Sequence, residues 1–221
     1  MKLVLFDCDG TLVDSAHLIH EVMERTFRAY GLEAPSSQAT RSIIGLSLDL
    51  AIARIRGLDE VNEQSQEMMF HYKSIFAATR AEKGFQEPLY PGVPDMMTKL
   101  SSDDALLLGA VTGKSRRGLQ LVCDTHGFDR AFIVSRTADD CPSKPHPAMV
   151  LECCTDTGMD ARDTIVIGDS IYDIQMAKAA GAYAIGVSWG YGAVDDLRLH
   201  GADAIADHAR DIPRLVAALG D

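Results

Sequence analysis

The chain has 221 residues, of which 47% are hydrophobic and 24% charged, the balance of a soluble globular protein long enough for a real core. A net charge of −11 argues against nucleic acid or an anionic membrane as the main partner, and it leaves any anionic substrate to be handled locally by a metal and a few cations. No apolar run reaches the ~20 residues that span a bilayer, and Asp7 and Asp9 interrupt the only early one, so neither membrane anchor nor signal peptide is expected.

In chain order, Leu3 to Phe6 is a short apolar run that reads as a strand buried on both faces. Asp7 closes it, and Asp9, Gly10 and Thr11 follow at once. Two acids at the exit of a buried strand are costly unless a cation or a reacting phosphoryl group offsets their charge. In extended chain Asp7 and Asp9 point to the same side while Cys8 turns away. Gly10 permits a sharp bend, and Thr11 can bond back into the turn.

The period then becomes helical. Ser15 is the expected N-cap of a helix carrying Leu18, Val22, Met23, Phe27 and Tyr30, ended by Gly31. A polar stretch over 35–40 leads to a second helical piece that stops near Gly45. Ser47 can cap a third helix with Leu48, Ile52 and Ile55 on one face and Gly57 at its end. A fourth is expected over about 60–83, with Met68, Tyr72, Ile75 and Phe76 inward. Residues 16–83 thus read as helices alone.

From Pro91-Gly92 onward, strand and helix alternate. Helices are expected over 93–100, 116–127, 148–158, 171–181 and 212–219, and strands over 106–111, 132–134, 164–167 and 184–187. Such alternation predicts an α/β fold, a parallel sheet with helices on both faces. The first strand belongs to that sheet, so residues 16–83 form an insertion hinged at Asp14-Ser15 and at 84–91, leaving 1–15 and 84–221 as the α/β unit. The five cysteines are odd in number and lack metal-ligand spacing, which suits a reducing, cytoplasmic setting. Cys153-Cys154 reads as partly buried helix surface.

Ligands of open parallel sheets bind beyond the carboxyl ends of the strands. Asp7 and Asp9, Thr112-Gly113-Lys114-Ser115, and Gly168-Asp169-Ser170 all exit strands on that edge. Each has a plainer reading alone: Thr112-Gly113 as a turn, Gly168-Asp169-Ser170 as a helix cap, Lys144 as a solvated lysine beside a proline turn, His146 as a surface or capping residue. Asp173, one turn into its helix, also suits the helix dipole.

Taken together, Asp7-x-Asp9-Gly10-Thr11, Thr112, Lys144 and Gly168-Asp169-Ser170-x-x-Asp173 resemble, in order and spacing, the four motifs of the haloacid dehalogenase (HAD) superfamily of phosphohydrolases. The helical insertion after the first motif resembles the cap of the subfamily that holds phosphoglycolate phosphatases, pyrophosphatases and β-phosphoglucomutases. The stretch Gly186-Val187-Ser188-Trp189-Gly190-Tyr191-Gly192 most resembles the phosphoglycolate phosphatase branch.

The resemblance implies a Rossmann-like core and Mg²⁺ held by the Asp7 and Asp169 carboxylates and the Asp9 carbonyl. It implies Asp7 as nucleophile, Asp9 as acid and base, Thr112, Gly113 and Lys144 on the phosphoryl oxygens, and Asp173 and Ser170 behind them. The cap loop Gly45, Leu46 and Ser47 is expected to meet the substrate, with Arg41 and Arg54 as candidate anion partners. The expected substrate is a small phosphorylated metabolite, phosphoglycolate first, for a monomer or homodimer. A mutase or pyrophosphatase on the same machinery is the alternative. A receiver-type signalling module is more remote, since such modules are expected to lack the helical insertion and an acid at the place of Asp9.

Overall fold

The structure, a computed structural model, describes residues 1–82, 85 and 87–220. Its strands are Lys2–Phe6 (β1), Leu106–Val111 (β2), Val134–Arg136 (β3), Thr164–Gly168 (β4), Tyr183–Val187 (β5) and Ala204–Ala206 (β6). All pair in parallel, in the order β3-β2-β1-β4-β5-β6. With β1 central, the chain winds outward to β3 on one side and to β6 on the other. The order therefore reverses beside β1, where a crevice opens beyond the strand ends.

The alternation of β1 explains the two cores. Val4 and Phe6 face a layer with Met96, Met97, Leu119, Val122, Ile165, Ile167 and Ile212, supplied in part by the helices Val93–Ser101 (α5), Arg116–His126 (α6) and Ile212–Ala218 (α10). Leu3 and Leu5 face the other layer with Val166 of β4 and with Met149, Val150, Cys153, Ile174 and Ala177, from Ala148–Thr157 (α7) and Ile171–Ala180 (α8). A strand apolar on both faces is stable only between two such layers, each buried side chain contributing about 1.5–3 kcal/mol.

The helices Ala16–Ala29 (α1), Ser37–Arg41 (α2), Leu48–Ile55 (α3) and Glu63–Glu82 (α4) enclose a separate apolar cluster with Leu18, Val22, Met23, Phe27, Ile52, Met68 and Tyr72 at its centre. Its two connections to the sheet run side by side. Val13 bridges Leu89, the Asp14 amide donates to the Pro88 carbonyl (2.9 Å), and the Tyr90 amide donates to the Leu12 carbonyl (3.0 Å). The two connections are thus held together where the helical segment meets the sheet. The expected end of its last helix at Lys83 and the expected hinge at Gly84 lie outside the described residues.

Several local expectations need correction. The expected strand over 132–134 is displaced to Val134–Arg136. Val134 pairs with Gly109, while Phe132 sits in the preceding turn against Phe6 and Phe128, and Ile133 is 58% exposed. The strand is an edge one, so Ser135 and Arg136 need no apolar partners and the hydrophobic pattern misplaced it. The polar stretch over 35–40 already holds α2, because the Ser36 hydroxyl accepts from the Ala39 amide (3.1 Å). Val194–Leu199 (α9) and β6 were not foreseen, both being too short to show a period. Cys153 and Cys154 are core residues and not helix surface. All five cysteines are buried free thiols. Among the described residues no helix is long and apolar enough to cross a membrane.

Candidate active site

Asp7 continues the ladder past β1, its amide donating to the Ile167 carbonyl of β4 (2.9 Å), and its side chain is buried. Asp169 leaves β4 next door. The Asp7, Asp169 and Asp173 carboxylates each bring an oxygen to within 4.8 Å of the others. Lys144 Nζ lies among them, 2.8 Å from Asp7 Oδ1 and 2.6 Å from Asp173 Oδ1, and is itself fully buried. The plainer reading of Lys144 as a solvated lysine is therefore wrong; that of His146 as an exposed capping residue holds, its Nδ1 accepting from the Ala148 amide (3.2 Å).

Glycines make this crowding possible. Gly10 has φ +81°, and a Cβ there would stand 2.2 Å from Asp169 Oδ2. A Cβ on Gly190 would stand 2.2 Å from the Asp169 Cβ. Asp169 is held by Thr11 Oγ1 (3.3 Å) and the Tyr191 amide (2.7 Å), which donate to its two oxygens. Asp173 and Ser170 cap the start of α8 reciprocally, so Asp173 Oδ2 is taken by the Ser170 amide (3.1 Å) and hydroxyl (2.6 Å), leaving Oδ1 to Lys144. Both plain roles of these residues, helix cap and site neighbour, are thus realised at once.

Neither Asp7 oxygen accepts a hydrogen bond of good geometry from the described residues, although Lys144 lies within ion-pair reach. Burial pushes the Asp7 carboxyl up to about 7, partly offset by Lys144. Burial, then the charges of Asp173 and Asp7, hold Asp169 well above the ordinary carboxylate range. Burial opposes the Lys144 ammonium, but Asp173 and Asp7 outweigh it and carry its pKa upward. Three buried carboxylates face one ammonium, and the orphaned oxygens of Asp7 are hard donors. This set fits a divalent oxygen-seeking cation such as Mg²⁺.

Thr112 is buried at the exit of β2, its amide donating to the Arg136 carbonyl (3.0 Å). Gly113 lies directly beneath the helical unit, since a Cβ there would be 2.7 Å from the carbonyl oxygens of both Gly45 and Leu46. The Ser47 amide donates to Ser143 Oγ (2.7 Å), one residue before Lys144, and a Cβ on Gly45 would stand 3.2 Å from Ser170 Oγ. The loop Gly45, Leu46 and Ser47 therefore covers the cluster. Ser47 occupies the N-cap position of α3 without a side-chain cap bond, because its hydroxyl donates to Asp49 (2.6 Å). Arg41 is exposed at the end of α2, and Arg54 pairs with Asp59 (3.7 Å) with its charge also felt at Tyr172; among the described residues neither makes an ion pair with the acidic cluster.

Asp9 takes a different direction from Asp7. Its Oδ1 is approached by Lys114 Nζ at 2.8 Å and accepts a short hydrogen bond from the Ser15 hydroxyl. Ser15 is consequently not a side-chain cap of α1, as had been expected. Tyr191 serves there instead, its hydroxyl accepting from the Ser15 and Ala16 amides (3.0 Å each) and donating to Asp14 (3.0 Å). Lys114 continues to Glu87 (2.7 Å), and Glu87 to Arg80 of α4 (3.4 Å). Lys114, Glu87 and Tyr191 had been assigned no role. The only signal for Lys114 was its place in the stretch Thr112-Gly113-Lys114-Ser115 at the exit of β2, where Thr112 Oγ1 accepts from the Lys114 amide (3.2 Å) in a turn that period alone does not resolve.

Residues 4–187 match the sequence profile of the haloacid dehalogenase-like hydrolases. Three curated relatives align along nearly the whole chain. One is named "Probable phosphatase IndB", from Dickeya dadantii, 31% identical over 220 residues (98% of this chain, 94% of the relative). Another is an N-acetylmuramic acid 6-phosphate phosphatase of Pseudomonas aeruginosa, 29% identical (96% and 93%). The third is a phosphoglycolate phosphatase of Vibrio parahaemolyticus, 26% identical (98% and 96%).

Proposed function

Because the chain belongs to the haloacid dehalogenase-like hydrolase family, we propose that it is a Mg²⁺-dependent hydrolase of phosphomonoesters of small metabolites, working through a phosphorylated Asp7. The observation that carries this reading is the buried meeting of Asp7, Asp169 and Asp173 with Lys144, in which both Asp7 oxygens lack hydrogen bonds. Phosphoglycolate is the first substrate to test and N-acetylmuramic acid 6-phosphate the second, since relatives of similar identity carry those names.

In this mechanism an Asp7 oxygen attacks phosphorus in line, forming an acyl phosphate as the bond to the ester oxygen breaks. Asp9 gives its proton to the departing alkoxide, then takes one from the water that attacks the phosphoenzyme, releasing phosphate and restoring Asp7. Thr112, the Gly113 amide and Lys144 receive the phosphoryl oxygens and meet the charge that develops on them. Asp173 keeps Lys144 aimed at that position. The metal, which Asp7, Asp169 and the Asp9 carbonyl would hold, supplies charge neutralisation between nucleophile and phosphoryl group.

The helical unit, taken as a cap spanning residues 16–83, closes over the site through Gly45, Leu46 and Ser47 and excludes water from the ester. Phosphate release should be measured with Mg²⁺ and with chelator on phosphoglycolate, N-acetylmuramic acid 6-phosphate, a hexose 1-phosphate and pyrophosphate. Release that ignores the chelator, or none on any ester, sinks the proposal; pyrophosphate as the preferred substrate would move it to the alternative.

Two expected results arise here. Gly113→Ala should push the cap loop away, because the carbonyls it meets are backbone and cannot rotate aside. The expected outcome in steady-state kinetics is a loss in kcat/KM of about tenfold or more with a nearly unchanged melting temperature. Metal binding should also be visible as stability. An acid whose folded pKa is raised, as with Asp7, weakens the metal-free fold as pH rises from the unfolded value to about 7. Mg²⁺ at a hundredfold over its Kd adds about 2.7 kcal/mol, a melting shift of several degrees. Scanning fluorimetry should show a larger shift at pH 8 than at pH 5; the reverse order would contradict the assignment of these acids as ligands.

A further inference from the structure

The mechanism above leaves one buried ion chain unused, running from Asp9 through Lys114 and Glu87 to Arg80. The Lys114 side chain is 9% exposed and sits between two carboxylates, 2.8 Å from Asp9 Oδ1 and 2.7 Å from Glu87 Oε1. Glu87 is 4% exposed and lies on the stretch that returns from the helical unit, next to the neck where Pro88 and Leu89 pair with Asp14 and Val13. Arg80 reaches it from α4, and His126 Nε2 lies 2.9 Å from the Glu87 carbonyl oxygen. A lysine buried at this depth is held only where its charge is met on more than one side.

The detail that matters is which oxygen of Asp9 is used. Lys114 and Ser15 both engage Oδ1, and among the described residues Oδ2 has no hydrogen-bond partner. A carboxyl with two donors on one oxygen has its rotation fixed and its other oxygen left free. We propose that Lys114 is a positioning residue for Asp9, clamping Oδ1 so that Oδ2 faces the ester oxygen and carries the proton in both half-reactions. The role rests on the phosphomonoesterase reading above. In the first half-reaction the O–H bond on Oδ2 breaks and re-forms on the ester oxygen as the P–O bond breaks; in the second, Oδ2 takes a proton from water. Because Glu87 and Arg80 lie at and beyond the neck, the clamp is complete only when the helical unit is seated.

A proton donor matters most when the leaving group is poor. The test is therefore Lys114→Met assayed with Mg²⁺ on two aryl esters, p-nitrophenyl phosphate, whose leaving group departs without a proton, and phenyl phosphate, whose leaving group needs one. The expected result is a fall in kcat of about 10–100-fold on phenyl phosphate and less than about threefold on p-nitrophenyl phosphate, with KM little changed for both. Lys114→Arg should recover the larger part of the phenyl phosphate rate. Equal losses on the two esters, or no loss on either, overturn the proposal. If circular dichroism shows Lys114→Met unfolded, the double variant Lys114→Met with Glu87→Gln removes both buried charges, and the same ester-selective loss is expected of it. Wild-type protein that hydrolyses neither these aryl esters nor the metabolite esters named above sinks the phosphatase reading as well, an outcome distinct from active wild type with a uniform variant loss.

Discussion

Asp7→Asn is expected to abolish turnover while leaving the metal-free protein as stable as the parent or more so. The first half follows from removing the oxygen that attacks phosphorus, a loss on the order of 10⁴-fold or more for a covalent nucleophile. The second follows from where the carboxylate sits. Asp7 is buried, its pKa is raised by that burial, and Asp173 and Asp9 add like charge around it. Asparagine keeps the shape without the charge, and Lys144 retains Asp173 at 2.6 Å. The melting temperature without metal should therefore match or exceed that of the parent, with the difference largest above pH 7, where the parent carries the ionised acid. The Mg²⁺-induced shift should shrink in the same variant. A variant that turns over within about a hundredfold of the parent would remove Asp7 from the nucleophile role.

Lys144→Met should damage both stability and catalysis. The substitution leaves Asp7, Asp169 and Asp173 without their ammonium in a site closed to solvent. Breaking a buried pair in this way costs about 3–5 kcal/mol, which for a chain of this size lowers the melting temperature by about 6–20 °C. The folded pKa of Lys144 lies above its unfolded value, so its contribution is fully present below the unfolded value and is lost only as pH rises through the higher folded one. The carboxylates left behind can relieve themselves by taking protons, so the destabilisation should be greater at pH 8 than at pH 5. Loss of one charge that meets the phosphoryl oxygens adds a fall of about 10²–10³ in kcat. Urea unfolding at the two pH values and steady-state kinetics check the two halves separately. A melting temperature unchanged at pH 8 would mean that Lys144 does not balance these acids.

Local chemistry made most of the strand and helix plan readable. Leu3 to Phe6 is apolar on both faces, and only a strand between two helical layers can bury both, so its double burial was implied by four residues, while its central place in the order was not. Gly127, Gly158 and Gly181 end helices in the left-handed conformation that favours glycine, and each end was foreseen within a residue. The edge strand at Val134–Arg136 was not, since an edge needs no apolar run, and α9 and β6 are too short for periodicity to register.

At the site, the sequence alone determined which residue types stand at the strand exits, because strand direction and period fix where Asp7, Thr112 and Asp169 emerge. Tertiary structure decided how each is used. Asp7 and Asp9 are two residues apart, yet one is left with orphaned oxygens among carboxylates while the other is clamped by Lys114 and Ser15. Ser15, read as a helix cap, gives that place to the Tyr191 hydroxyl, 176 positions away. The reason is physical: backbone period and turn chemistry act over a few residues, whereas the partner of a buried charge is whichever group the packing brings within about 3 Å, and that depends on the whole sheet.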